Sequence, residues 1–239
     1  MSRPAVIVAL DQADPATARA CAASFRGTAE RVKLGSGLFT RAGPALVREL
    51  VAEGFRVFLD LKFHDTPATV GGAVAAAAEL DIELLTLHAA GGPAMLAAAR
   101  AAADAAPRPP RLLGVTLLTS LDAATHARIA GPGARDLSAT VRSLAALARE
   151  AGLDGCVCAT HEAAAVAAEL GPGALVVVPG IRPAWSTSDH SGQARLATPA
   201  AAAAAGATHI VVGRAVTAAA DPAAALARIE AELASERPR

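Results

Sequence analysis

The sequence is poor in aromatic residues and has no excess of charge of either sign. It contains one tryptophan and no tyrosine, and aromatic residues make up 3% of its 239 positions. That content is too low for the stacking platforms on which proteins bind nucleic-acid bases. The 22 basic and 22 acidic residues balance, and no basic block is present that would follow a phosphodiester backbone. We therefore expect no nucleic-acid partner.

Cysteine is also scarce. The three cysteines are Cys21, Cys156 and Cys158. Their number is odd and no C-x-x-C spacing occurs, so the sequence signals neither a disulfide framework nor a zinc site. This usage fits a reducing compartment, and we expect a cytoplasmic protein.

Long apolar segments are missing as well. Hydrophobic residues reach 53% because alanine dominates, and runs such as 200–205 are much shorter than a membrane span. The apolar run 4–10 ends at Asp11, before it reaches the length of a secretory signal. We therefore predict no membrane segment, and we interpret the first run as a β-strand.

Short β-branched or leucine-rich runs alternate with alanine-rich stretches along the whole chain. Because no Ser/Gly-rich linker separates two halves, we predict one domain over residues 1–239. The predicted strands are 6–9, 31–34, 56–60, 84–87, 112–116, 155–158, 175–178 and 209–212. Eight such βα units predict an α/β fold, a single-domain (β/α)8 TIM barrel. A doubly wound sheet is the alternative, but its Gly-rich fingerprint after the first strand is absent.

Helix starts are indicated by proline and by capping residues. Proline suits the first turn of a helix because it has no N–H to donate and its φ is already helical. The predicted starts of this kind are Pro15, Pro44, Pro67, Pro93 and Pro222. Ser138 is the predicted N-cap of the fifth helix.

The segment 60–67, DLKFHDTP, places three charges of alternating sign at the end of an apolar strand. Side chains alternate along a strand, so Asp60 and Lys62 are predicted to share one side. Asp65 supplies a second carboxylate nearby. Charges at the mouth of an apolar element are costly to desolvate unless they pair. The segment is therefore either a structural ion pair that closes a strand or a catalytic array.

Polar residues follow the predicted strands at the end where TIM barrels carry their active sites. The loops after strands seven and eight read PGIRP and GRA, and they predict a phosphate site that contains Arg182, Gly213 and Arg214. Glycine allows close backbone approach, and a guanidinium binds phosphate oxygens bidentately. At neighbouring strand ends, Asp11 and Lys33 could orient sugar hydroxyls. Thr119 and Gln193 offer neutral donors and acceptors.

These residues together make the chain resemble the orotidine 5'-phosphate decarboxylase family. The resemblance covers nearly the full length, in the expected order. Its segments are 9–11, 32–35, 60–67, 118–120, 179–182, Gln193 with Arg195 and Thr198-Pro199, and 211–214. Two departures occur: Ala215 stands where a proline often follows the Gly-Arg pair, and the segment 185–192, which precedes Gln193, lies where the family varies in length.

The resemblance implies roles for individual residues. It implies a catalytic array of Asp60, Lys62, Asp65 and Lys33, in which Lys62 gives a proton to C6 as carbon dioxide leaves orotidine 5'-phosphate and UMP forms. Asp11 and Lys33 would contact the ribose, Thr119 the pyrimidine, and Arg182, Gln193, Gly213 and Arg214 the phosphate. It also implies a homodimer in which Asp65 and Thr66 reach the partner's site. The expected partner is the small-molecule substrate. We expect neither a membrane nor a nucleic acid as a partner.

No thiamine, pyridoxal or metal motif occurs, so the expected reaction uses no cofactor and no metal. His64 and His88 are interpreted as structural histidines rather than acid–base groups. Two alternatives stay open. One is a metal-dependent sugar-phosphate decarboxylase or aldolase of the same barrel superfamily, against which Lys33 argues because a cation there would repel the metal. The other is a catalytically silent barrel that binds a phosphorylated ligand as a sensor.

Overall fold

Eight parallel strands form a closed barrel in which each strand pairs with its sequence neighbours, and β1 closes the ring with β8. The computed structural model describes residues 3–186 and 197–235. The strands are β1 Ala5–Leu10, β2 Arg31–Gly35, β3 Arg56–Phe63, β4 Leu84–His88, β5 Arg111–Val115, β6 Gly155–Val157, β7 Leu175–Ile181 and β8 His209–Val212. All eight predicted strands are present, and the predicted TIM barrel is confirmed.

The strand residues divide into two layers because side chains alternate across each strand. One set fills the inside of the barrel, and Ile7, Phe58 and Val177 belong to it. The other set faces the surrounding helices, and Val8, Leu59 and Val178 belong to it. Lys33 pairs in register with Ala9 and Phe58, so its side chain belongs to the inner set. A lysine inside a barrel needs charged partners, and its position near a strand end supplies them.

Ten α-helices lie among the described residues. They are α1 Pro15–Ala23, α2 Ser36–Ala52, α3 Pro67–Ala78, α4 Gly92–Asp104, α5 Ala123–Ala130, α6 Leu137–Glu150, α7 Ala163–Leu170, α8 Pro199–Ala204, α9 Arg214–Thr217 and α10 Pro222–Ser235. Prolines open α1, α3 and α10 as predicted. Pro44 lies inside α2, directly after Gly43, whose φ of 61° and ψ of −165° break the helix. Pro44 therefore begins the second half of α2, in a first turn.

The prediction that Ser138 caps a helix is wrong. The helix α6 begins at Leu137, and its N-cap is Asp136, whose Oδ1 accepts a hydrogen bond from the Ala139 N–H at 2.7 Å. Asp and Ser are equally good N-cap residues, so the two positions could not be ranked from residue type. The helix α5, capped by Asp122 in the same way, precedes it.

Two strands depart from regular pairing at the end that carries the polar residues. The register of β3 against β4 shifts between Leu59 and Phe63, and that of β7 against β8 shifts between Val178 and Ile181. Irregularities of this kind are common next to active sites because they redirect side chains. Here they occur on the two strands that carry the Asp60–Lys62 pair and the predicted phosphate loop.

The opposite end of the barrel is closed by charged residues. Arg31 donates to both oxygens of Glu83, at 2.9 and 3.1 Å, and His209 is 9% exposed near this pair. Such a layer contributes to stability rather than chemistry at this end of a TIM barrel. In residues 3–186 and 197–235, no helix is long and apolar enough to cross a membrane.

Candidate active site

A cavity of about 740 Å³ opens at the C-terminal ends of the strands. Its volume is in the range of small-molecule sites. Most of the residues predicted from the sequence line it: Asp11, Lys33, Asp60, Lys62, Thr119, Arg182, Gly213 and Arg214. Apolar residues line the same cavity, among them Ala9, Phe58, Val157 and Val211. The site therefore combines an apolar wall with charged groups of both signs.

Four charged side chains form an alternating line in this cavity. The Lys33 ammonium lies 3.0 Å from Asp11 Oδ1 and 3.8 Å from Asp60 Oδ2, and the Lys62 ammonium lies 2.7 Å from the same Asp60 oxygen. The Asp60 and Lys33 side chains are only 13% and 11% exposed, whereas that of Lys62 is 36% exposed. The largely buried charges of Lys33 and Asp60 interact strongly, whereas the Asp11 side chain is 59% exposed. Each ammonium is held by carboxylates, and Lys62 remains open to a ligand.

Lys33 and Lys62 are the only two lysines in the sequence, and every other basic residue is an arginine. Lysine carries a compact ammonium that can give up a proton, whereas the arginine guanidinium stays protonated. Both lysine ammonium groups of the chain therefore lie in one array. This signal was present in the sequence, and it is independent of the spacing of the motif.

The Lys62 backbone is not in a regular strand conformation. Its φ is 53°, in the left-handed region that non-glycine residues seldom adopt. The prediction that Asp60 and Lys62 share a side is confirmed by their contact, but its basis in regular alternation is wrong at Lys62. Strained backbone of this kind persists where surrounding contacts hold it. Here the Lys62 N–H donates to the Thr86 hydroxyl at 2.9 Å.

Two histidines lie beside the array. The rings of His64 and His88 lie 5.2 Å apart. Burial lowers the pKa of His88, and the nearby His64 and Lys62 lower it further. Asp60 opposes this shift. The structural role of His88 stays a prediction.

The wall opposite Lys62 carries the arginines and glycines of the predicted phosphate site. Arg182 follows β7, and Arg214 follows Gly213 at the end of β8. The backbone next to Arg182 is tied down, because its N–H donates to the Ala197 carbonyl at 2.8 Å and the Ala197 N–H donates to the Gly180 carbonyl at 3.2 Å. The ends of the segment after β7 are thus bonded to each other.

Two predicted residues of the described part of the chain, Asp65 and Thr66, do not line the cavity. Asp65 and Thr66 are exposed, and the Asp65 side chain accepts a 2.6 Å hydrogen bond from the Thr66 N–H. Among the described residues, Asp65 makes no ion pair with Lys62, which is bonded to Asp60 instead. Gln193 lies outside the described residues.

Sequence reasoning missed Thr86, which is fully buried on β4 and donates a 2.9 Å hydrogen bond to Asp60 Oδ1. One signal could have identified it. It is a polar residue in the apolar strand LLTLH, and it shares the inner face with His88. Its partner could not be inferred, because the contact depends on the register shift in β3.

The chain matches a family model described as "Orotidine 5'-phosphate decarboxylase / HUMPS family" over residues 4–229. It is 51% identical over 234 residues to an orotidine 5'-phosphate decarboxylase of Halorhodospira halophila, with 97% of each chain covered. It is 49% identical over 236 residues to one of Alkalilimnicola ehrlichii, with 99% of each covered.

A solved structure supports the same relationship. The crystal structure of orotidine 5'-phosphate decarboxylase from Lactobacillus acidophilus superposes with a TM-score of 0.83 at 36% identity, covering 97% of this chain and 99% of that one. Sequence and fold thus agree over nearly the whole length.

Proposed function

Because this chain belongs to the orotidine 5'-phosphate decarboxylase family, whose members are enzymes of pyrimidine biosynthesis, we propose that it converts orotidine 5'-phosphate to UMP without a cofactor, with Lys62 as the acid. The observation that carries the proposal is the line of ion pairs Asp11–Lys33–Asp60–Lys62 inside one cavity. The catalytic domain is residues 1–239.

The reaction requires a positive charge beside the reacting carbon. When the bond from C6 to the carboxylate breaks, carbon dioxide leaves and the electron pair stays on C6. The Lys62 ammonium stabilises that charge as it develops, then gives its proton to C6, and water returns a proton to the amine. Preorganised charge of this kind is often the largest single term in catalysis. Asp60 holds the ammonium in place at 2.7 Å.

The other end of the cavity suits a phosphoribosyl group. Arg182 and Arg214 supply guanidinium groups for the phosphate, and Gly213 allows its backbone to come close. Gln193 completes this set. Asp11 and Lys33 bond ribose hydroxyls, and Thr119 bonds the pyrimidine. Binding energy from the distant phosphate contributes to catalysis when it is used to hold the reacting carbon against Lys62.

The active assembly is a homodimer in the cytoplasm, in which Asp65 and Thr66 enter the partner's cavity. Their exposure in the single chain, and the absence of an ion pair between Asp65 and Lys62 among its described residues, support this arrangement. A second carboxylate then approaches each Lys62 from outside, and it completes the charge array.

The metal-dependent relative is disfavoured by the position of Lys33. Its ammonium lies between Asp11 and Asp60, where a divalent cation would otherwise use both carboxylates. The silent sensor is disfavoured because the bonded pair Asp60–Lys62 is complete.

The test is the loss of orotidine 5'-phosphate absorbance in metal-free buffer with EDTA. We expect turnover by the wild type and a loss of at least about 10²- to 10⁴-fold in Lys62→Ala. UMP should raise the melting temperature of both proteins, which shows that the variant folds and binds. A folded wild type that binds UMP without turnover would contradict the decarboxylase and favour the silent sensor. Activity on a sugar phosphate only after Mg²⁺ addition would favour the metal-dependent relative.

A further inference from the structure

We propose that Thr86 is a positioning residue that orients Asp60 and holds the Lys62 backbone for the reaction. Its one hydroxyl group accepts from the Lys62 N–H at 2.9 Å and donates to Asp60 Oδ1 at 2.9 Å. The bond to Asp60 Oδ1 leaves Oδ2 to face Lys62 and Lys33. The proposal deepens the proposed function and rests on it.

The direction of both hydrogen bonds follows from the chemistry of the hydroxyl. A hydroxyl has one proton to donate and two lone pairs. A backbone N–H can only donate, so Thr86 must accept from Lys62 and its own proton is free for Asp60. The carboxylate is thereby fixed through one oxygen by Thr86 and through the other by the Lys62 ammonium. Rotation of the carboxylate would break both bonds.

The bond to Lys62 explains how an unfavourable backbone conformation persists. At the register shift in β3, the Lys62 N–H donates to the Thr86 side chain instead of to a β4 carbonyl. A buried N–H without a partner is costly, and Thr86 removes that cost while Lys62 keeps a φ of 53°. The Thr86 hydroxyl thus holds both members of the pair: the Asp60 side chain and the Lys62 backbone.

Thr116 provides a matched control. It is also a buried threonine at the end of a neighbouring strand, 1% exposed, and its hydroxyl donates to the Val157 carbonyl at 3.0 Å. Within the part of the chain that the structure describes, its hydroxyl bonds to that carbonyl and not to Asp60 or Lys62. Thr116→Val therefore removes a buried hydroxyl of the same kind without touching the array.

The experiment compares Thr86→Val, Thr86→Ser and Thr116→Val with the wild type. Valine keeps the shape of threonine and loses the hydroxyl, so we expect kcat to fall about 10- to 100-fold, the range for a lost hydrogen bond to a charged group. KM should change less than about threefold, because the phosphate contacts remain. For the same reason, UMP should raise the melting temperatures of the variant and the wild type by similar amounts. Thr86→Ser should restore most of kcat, and Thr116→Val should match the wild type.

A second readout does not depend on turnover. Because the chain has two lysines, limited acetylation followed by peptide mass spectrometry reports on Lys62 and Lys33 individually. Without the Thr86 hydroxyl, Asp60 is freer to move and holds the Lys62 ammonium less firmly. Lys62 should therefore be acetylated several-fold faster in Thr86→Val than in Thr116→Val.

The two readouts separate the two proposals. If the wild type shows no turnover, the proposed function fails and the acetylation rates still decide the role of Thr86. Unchanged acetylation of Lys62 in a folded Thr86→Val protein would overturn the positioning role. An equal fall in kcat for Thr86→Val and Thr86→Ser would also overturn it, since the hydroxyl would then not be the group that matters.

Discussion

At the scale of single residues, the Thr86 hydroxyl and the Lys62 backbone shape the charged pair at the end of β3. Asp60 and Lys62 were found because two charges end an apolar strand, and their 2.7 Å contact is observed. The left-handed conformation of Lys62 and the hydroxyl of Thr86 that supports it could not be predicted. Both depend on how β3 sits against β4, which is a long-range property.

A residue-scale prediction concerns His209, at the closed end of the barrel. Burial, followed by the charge of Arg31, lowers its pKa from 6.5 to about 4; Glu83 and Glu30 oppose this shift, and Arg111 adds to it. Between pH 6.5 and pH 4 the unfolded chain therefore binds a proton at this position and the folded chain does not. The free energy of unfolding must fall as the pH is lowered through this window.

His209→Gln removes that contribution. Between pH 7 and pH 5, the free energy of unfolding should fall by about 2 kcal/mol less in the variant than in the wild type. The difference arises because His209 costs the wild type about 1.4 kcal/mol for each pH unit below 6.5. Urea unfolding at the two values of pH measures the difference. Equal losses in both proteins would show that His209 titrates alike in the folded and unfolded states.

At the scale of elements, strands were predicted more accurately than helix starts. Apolar β-branched runs bounded by polar residues placed each of the eight strands within a few residues, because burial on both faces leaves a clear pattern. Helix starts depend on which of several nearby capping residues reaches a free N–H. In the segment 136–138 that choice is set by backbone φ and ψ, and Asp136 rather than Ser138 makes the bond.

The two capping candidates of α6 give a matched pair of variants. Asp136→Ala removes the acceptor of the Ala139 N–H and should lower the free energy of unfolding by about 0.5–2 kcal/mol. Ser138→Ala removes no cap and should change it by less than about 0.5 kcal/mol. Urea unfolding of both variants at pH 7 makes the comparison. If Ser138→Ala were the more destabilising change, the cap would have been assigned to the wrong residue.

At the scale of the whole molecule, the barrel explains why residues far apart in sequence share one cavity. Asp11 and Arg214 lie near opposite ends of the chain, and the closure of β1 against β8 brings both to the same mouth. The sequence order of βα units was sufficient to predict this. Asp65 and Thr66 are exposed in the single chain. If they act in a partner subunit, as proposed, the order of elements within one chain cannot show it.

The proposed dimer makes a prediction about mixed subunits. Lys62→Ala and Asp65→Asn should each be nearly inactive alone. After equal mixing and subunit exchange, half the dimers carry one of each, and one of their two sites has both wild-type residues. Activity should therefore return to about a quarter of the wild-type value. If Asp65 acted in its own chain's site, no mixture would recover activity. Native mass spectrometry of the mixture, with one variant carrying a mass tag, confirms that mixed dimers formed.

The position of Lys33 between Asp11 and Asp60 also has an evolutionary consequence. If Lys33 were replaced by glutamate, three carboxylates would converge where one ammonium now joins two, and such a trio is a ligand set for a divalent cation. Lysine and glutamate codons differ by a single base. A barrel that relies on a proton-donating array and one that relies on a metal are therefore neighbours in sequence space, separated by the sign of one charge on β2.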